Sequence, residues 1–237
     1  MLRKAAALLA FVSLGAASAA SAQQAMDPNN PTCPQSPNWS TYRQMRFTTE
    51  TQPDGRVILR AEGQIDQDVP ARLRAALEAD PNIEEVWLRS PGGHARAGNE
   101  AGRIIRAASL TTRIPAGWAC FSACNFMFMG GEIRFVDSGG LFIVHMITHT
   151  NDREAIRAQV RQGEQSTVQL MGDLEQRSAL LASEDNDFLI RMGISRQLLT
   201  NVMYRTSAVA GADRSTRRCL TAAEVAQYNV SSPPFTR

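Results

Sequence analysis

The chain has 237 residues, with 25 Lys and Arg against 23 Asp and Glu and a formal net charge of +2. Charge this balanced, with no basic run and no interleaving of aromatic and basic residues, excludes a nucleic-acid site. The length suits one α/β domain with its own hydrophobic core.

Arg3 and Lys4 precede a short uncharged apolar stretch over residues 5–14, and Ala20-Ser21-Ala22 is a small-x-small cleavage site. This pattern predicts a secretory signal over residues 1–22 and a mature chain starting at Gln23. The stretch is shorter than the roughly 20 apolar residues of a membrane span. No later segment is longer and more apolar, so no span is expected after signal removal. The expected location is periplasmic or secreted.

Residues 23–41 hold Pro28, Pro31, Pro34 and Pro37 and predict an irregular arm, with the domain proper over 42–237. Val57-Ile58-Leu59 reads as a strand after the Pro53-Asp54-Gly55 turn. Asp68 is a candidate N-cap, with Pro70 in the first turn of a helix reaching about residue 79. Val86-Trp87-Leu88 predicts a buried strand ending at Ser90-Pro91-Gly92-Gly93. Ala101, Ile104, Ile105 and Ala108 give one apolar face to a helix over 97–108. Strands are expected over 111–114, 133–136 and 141–145, with an apolar helix after Ser122 that ends at Gly130-Gly131. The alternation predicts α/β architecture with a largely parallel sheet. Residues 152–183 lack proline and read as one long helix or two in series. Ser195 is read as the cap of a helix reaching Tyr204. Thr221 and Glu224 form a capping box for the last helix.

Cys33, Cys120, Cys124 and Cys219 all lie beyond the signal. An even count in an oxidising compartment predicts two disulfides. Of the three connectivities, Cys120–Cys124 with Cys33–Cys219 is favoured, and free buried thiols are the alternative. No metal site is expected. The cysteine spacing lacks C-x-x-C, the histidines do not cluster with the cysteines, and His145 and His149 do not share a helix.

Acyl transfer needs a nucleophile, a base for its proton, and backbone N–H groups aimed at the developing oxyanion. Ser122 sits where a turn enters an apolar helix, which leaves the next amide, that of Ala123, unpaired at a helix start. Gly92-Gly93 ends a strand with no side chain to block a substrate. His145 ends another strand, and a neutral imidazole there can take a proton. His94 and His149 are candidates to line the cleft. Phe126, Met127, Phe128 and Met129 are read as core. Taken singly, such residues have plain structural roles: a cap, a turn, a strand-end histidine. Their order carries more weight.

In that order the chain resembles the proteolytic subunit of Clp protease and its relatives in the crotonase-like superfamily. Leu88-Arg89-Ser90-Pro91-Gly92-Gly93 is similar to that family's strand and S-P-G-G oxyanion turn. The helix over 97–108 and the spacing from Gly93 to Ser122 are also similar. Residues 135–145 resemble the hairpin that delivers the family's histidine, and 152–183 its long handle helix. Leu220-Thr221-Ala222-Ala223-Glu224-Val225-Ala226-Gln227-Tyr228 is similar to the L-S-A-x-E-A-x-x-Y segment. The resemblance spans residues 57–230.

The resemblance implies a ClpP/crotonase-like α/β fold of stacked β-β-α units with a long C-terminal helix region. It implies Ser122 as nucleophile, His145 as base and the amides of Gly93 and Ala123 as oxyanion hole, with Gly92 and His94 beside the substrate. The third member does not carry over. Arg217-Arg218-Cys219 stands where the family has Asp. Asp213 is the nearest acid, with Asp185 and Asp187 as further candidates. The implied function is an exported, ATP-independent serine hydrolase acting on peptides or proteins, without cofactor or ATPase partner, and assembled as a homo-oligomer. The rival is an inactive or weakly active scaffold of the same fold.

Overall fold

The structure, a computed structural model, describes residues 25–27, 30–146, 152–203 and 217–232. The predicted signal over 1–22, and the residues His149, Tyr204 and Asp213, lie outside the described residues. Among the described residues, no helix is long and apolar enough to cross a membrane.

The strands β1 (Met26–Asp27) and β2 (Asn30–Pro34) pair antiparallel. The arm expected to be irregular is therefore partly a short hairpin. Pro31 and Pro34 are tolerated in β2 because that strand is not central in a larger sheet. Next come β3 (Arg46–Thr51) and β4 (Val57–Glu62), α1 (Val69–Ala79), β5 (Ile83–Arg89), α2 (Ala95–Ala107) and β6 (Thr111–Ile114). Asp68 does precede α1, but its side chain makes no cap bond; its own amide donates to Asp66 Oδ1 instead. β7 (Ala119–Phe121) leads into α3 (Cys124–Met129), followed by β8 (Arg134–Val136) and β9 (Leu141–Val144). α4 (Arg153–Gln162) and α5 (Glu164–Met192) are two helices in series, broken at Gly163, whose φ is 110°. A π-helical turn (Leu198–Met203) stands where a Ser195-capped helix was expected. β10 (Arg218–Cys219) and α6 (Ala222–Gln227) close the described chain. α6 starts at the Thr221–Glu224 capping box, as expected.

The main sheet has the order β3-β4-β5-β6-β8. β3 pairs antiparallel to β4, and the other pairs are parallel. A second sheet has the order β10-β9-β7. Mixed α/β architecture is thus observed, with parallel pairs through most of the main sheet and between β7 and β9 in the second. The expected hairpin over 135–145 is not one, because β8 and β9 belong to different sheets. Just past β5 the chain leaves the main sheet for β7: the Ser90 amide donates to Ala119 O at 3.0 Å, and Ser90 O accepts from Phe121 at 3.1 Å. This crossing brings the end of β5 against the end of β7.

α2 turns a face of small residues, including Gly98 and Gly102, towards α3. A Cβ on Gly98 would lie 2.5 Å from Ala123 O, and one on Gly102 2.3 Å from Phe126 O. The two backbones touch, which fixes α3 and the turn before it.

The cysteines pair as expected, Cys33 with Cys219 and Cys120 with Cys124. Cys33, Ala119, Phe121, Ile143 and Cys219 form a small second core, with Trp39 packed on it. The N-terminal arm thereby covers one face of the three-stranded sheet. Cys33–Cys219 spans 186 residues of sequence, and cross-links of long loops constrain the unfolded chain most. Replacing both cysteines with alanine is expected to cost about 2–5 kcal/mol. Urea denaturation of the oxidised proteins measures this; an unchanged midpoint would show that the arm adds no stability.

Candidate active site

The site is built where β7 and β9 end together. They run parallel with Phe121 opposite Ile143. The next residues, Ser122 and Val144-His145, therefore leave the same edge of the sheet. Ser122 has φ 58°, a left-handed conformation that a non-glycine residue adopts at some steric cost. The turn is held in it from several sides. The Cys120–Cys124 disulfide brackets the turn, with Cα atoms 5.4 Å apart. Ser122 O accepts from the Asn125 amide at 2.9 Å, and Asn125 Nδ2 donates to Ile143 O at 2.7 Å.

His145 Nε2 lies 2.7 Å from Ser122 Oγ. The imidazole packs on Phe121, with ring centroids 4.6 Å apart. Phe121 in turn stacks on Trp39 at 5.6 Å, and the Arg217 guanidinium lies 5.0 Å from each of those two rings. An aromatic ladder rooted in the N-terminal arm thus fixes the ring plane of His145. With Nε2 as acceptor of the serine proton, the ring's own proton must sit on Nδ1.

Gly92 and Gly93 come to this turn from the other side. Gly92 has φ 82°, and a Cβ there would lie 2.5 Å from Phe121 O and 2.7 Å from Ser122 Cβ. Gly93 has φ 145°, with Ile65 O 2.1 Å from where its Cβ would be. Only glycine satisfies both demands. The Gly92 amide is used by Ser90 Oγ at 3.0 Å. The Gly93 and Ala123 amides donate to no group among the described residues, and both line the same cavity as Ser122 and His145. The arrangement offers a hydroxyl, an acceptor for its proton and two N–H groups around one space, which is what acyl transfer requires.

Three expectations need correction. His94 does not line the cavity. It caps α2, with Nδ1 accepting from the Ala97 amide at 3.1 Å. Phe126 and Met129, read as core alone, also form cavity wall. Of the acids weighed as a partner for His145, Asp187 is engaged by Arg191 and Arg103, and those two cations hold its carboxyl below its ordinary range. Asp185 does line the cavity, but its Oδ2 is buried without a hydrogen-bond partner, so it does not engage His145.

The cavity beside Ser122 has a volume of about 180 Å³. Leu181, Asp185 and Leu189 of α5 reach it, as do Leu198 and Leu199 of the π-helical turn. Asp185 is 2% exposed and Asn125 4% exposed. Asp185 Oδ2 and Asn125 Oδ1 are both buried without a partner. Burial first, and the neighbouring Glu184 second, raise the Asp185 carboxyl to about 7.

No family model matches this chain, and no curated protein matches it in sequence. Solved structures do resemble it. One is an Asn-to-Asp mutant of ClpP1 from Listeria monocytogenes, 17% identical, with a TM-score of 0.45 over 71% of this chain and 85% of that one. Another is a Ser-to-Ala mutant of the 1510-N membrane-bound stomatin-specific protease, 12% identical, with a TM-score of 0.46 over 73% of this chain and 75% of that one. These likenesses concern the fold.

Sequence reasoning did not single out Phe121, Trp39 or Asn125. The available signal for Asn125 was a lone amide inside the otherwise apolar run from Ala123 to Met129. Nothing local marked the aromatic ladder, which joins residues far apart in the chain.

Proposed function

We propose that this chain is an exported, ATP-independent serine hydrolase, a peptidase that works by acyl transfer through Ser122. The observation that carries the reading is the 2.7 Å approach of His145 Nε2 to Ser122 Oγ, beside two unengaged amides. In the proposed reaction His145 takes the hydroxyl proton as Oγ attacks the substrate carbonyl. The oxyanion forms between the amides of Gly93 and Ala123. Collapse of that intermediate releases the amine, which takes the proton back from His145. Water, activated by the same imidazole, then frees the acyl group and restores Ser122.

Two disulfides fit an oxidising compartment, which supports export. A scaffold without turnover is favoured by one observation: Arg217-Arg218-Cys219 stands where the resembled family has its acid.

Exposure to a fluorophosphonate probe separates the two readings. The expected result is a single covalent adduct, mapped by peptide mass spectrometry to Ser122. No adduct, or one on another residue, overturns the hydrolase reading and leaves the scaffold.

A further inference from the structure

We propose that the cavity beside Ser122 is a pocket for a substrate lysine, whose ammonium group is met by Asp185 and Asn125. This rests on the hydrolase reading and assigns that reaction its substrate class: peptides cleaved next to lysine.

The volume of about 180 Å³ falls below the roughly 300–1,000 Å³ of pockets for drug-sized ligands. It suits one side chain rather than a whole small molecule. Its walls, which include Phe126, Phe142, Val144, Leu189 and Leu199, are apolar and match an aliphatic stem. Besides Ser122 and His145, two more polar residues line it, Asp185 and Asn125. Asp185 occupies the apolar side of α5, with Phe188, Leu189 and Met192 as the other buried residues there. A leucine at that position would complete the wall. The chain instead lines the same cavity with Asp185 and Asn125, each of which has one side-chain oxygen buried and without a partner.

Buried acceptors without donors are costly and uncommon. Asn125 cannot turn its amide to help, since Nδ2 is bonded to Ile143 O. Among the described residues no cation serves Asp185 either. Arg96 and Arg103, the arginines of α2 that reach α5, are engaged by Glu184 and Asp187. What is absent is a group with several N–H donors and a positive charge on a slender apolar stem. The lysine side chain is that group.

The test uses the chain with Ser122→Ala, so that peptides bind without turnover. Isothermal titration compares acetyl-Ala-Ala-lysine methylamide with its norleucine counterpart, which has a stem of similar length and no charge. The lysine peptide is expected to bind about tenfold more tightly or better. Adding Asp185→Asn, which keeps the shape, is expected to erase that preference, and Asp185→Leu to reverse it. Equal or tighter binding of the norleucine peptide overturns the proposal, as does a lysine preference that survives both substitutions. Failure of this proposal stays separable from failure of the hydrolase reading. A fluorophosphonate adduct on Ser122 without lysine preference removes the pocket assignment alone. Lysine preference without an adduct removes the hydrolase alone.

Discussion

Ser122→Ala and His145→Ala are each expected to slow hydrolysis of an activated ester by about four to six orders of magnitude, and the double variant no further. The reason is the single contact between them. One proton moves along the 2.7 Å line from Oγ to Nε2, so loss of either end removes the same step. Independent sites would instead give effects that multiply. What survives in all three variants is the pair of amides at Gly93 and Ala123, whose donors belong to the backbone. Their contribution keeps a residual rate above that of free solution. Steady-state rates of the three variants, with circular dichroism to verify folding, measure this. A double variant slower than either single one by the product of their losses would show that Ser122 and His145 do not act as a unit. Single variants with parental rates would place the chemistry elsewhere.

The parts of this site that were legible in the sequence are those whose local backbone demands are severe. Gly92-Gly93 and Ser122 stand at turns with positive φ, and the residues around them announce a strand ending and a helix beginning. The alternation of Val57–Glu62, Ile83–Arg89 and Thr111–Ile114 with helices was likewise readable, because each strand is long enough to show its apolar residues. The second sheet was not. β7 and β10 have three and two residues, too few for any periodicity. Their pairing is decided by the crossing at Ser90 and by the disulfide to Cys33, which are contacts between distant residues. The same fact undid the hairpin expected over 135–145. Closeness in sequence suggested pairing of β8 with β9, whereas parallel edges offered by β6 and β7 took one strand each. Asp185 was noticed only as a possible partner for a histidine. Its spacing to Phe188, Leu189 and Met192, at i+3, i+4 and i+7, already places it on the buried face of a helix.

Asp185→Asn is expected to stabilise the ligand-free protein at pH 8, with a ceiling of ~4 kcal/mol, and to change it little near pH 4. The carboxyl titrates at about 7 in the folded chain against 3.8 in its ordinary state. Below pH 3.8 both the folded and the unfolded chain carry the proton, and Asp185 costs nothing. As pH rises from there to about 7, the unfolded chain ionises while the folded chain resists. Stability is lost across that window and the loss is complete above it. Carboxyls held low by arginine partners, such as Asp66 beside Arg72, behave in the opposite sense. They are present in both proteins and cancel in the difference. Among the described residues, Asp185 and His145 are the titratable groups lining the cavity, so a parallel comparison in the His145→Ala background separates their contributions. Urea denaturation of parent and variant at pH 4 and pH 8 measures the effect; an advantage for the variant that is equal at both values would sink it. The same linkage says what a cation in the cavity must do. By favouring the ionised carboxylate it draws the folded-state value down, so the lysine peptide should stabilise the Ser122→Ala protein more at pH 8 than at pH 5 and lose that pH dependence with Asp185→Asn. An acid kept in an apolar wall at a cost in stability, with no group among the described residues to meet it, makes sense as a residue selected for what enters the cavity.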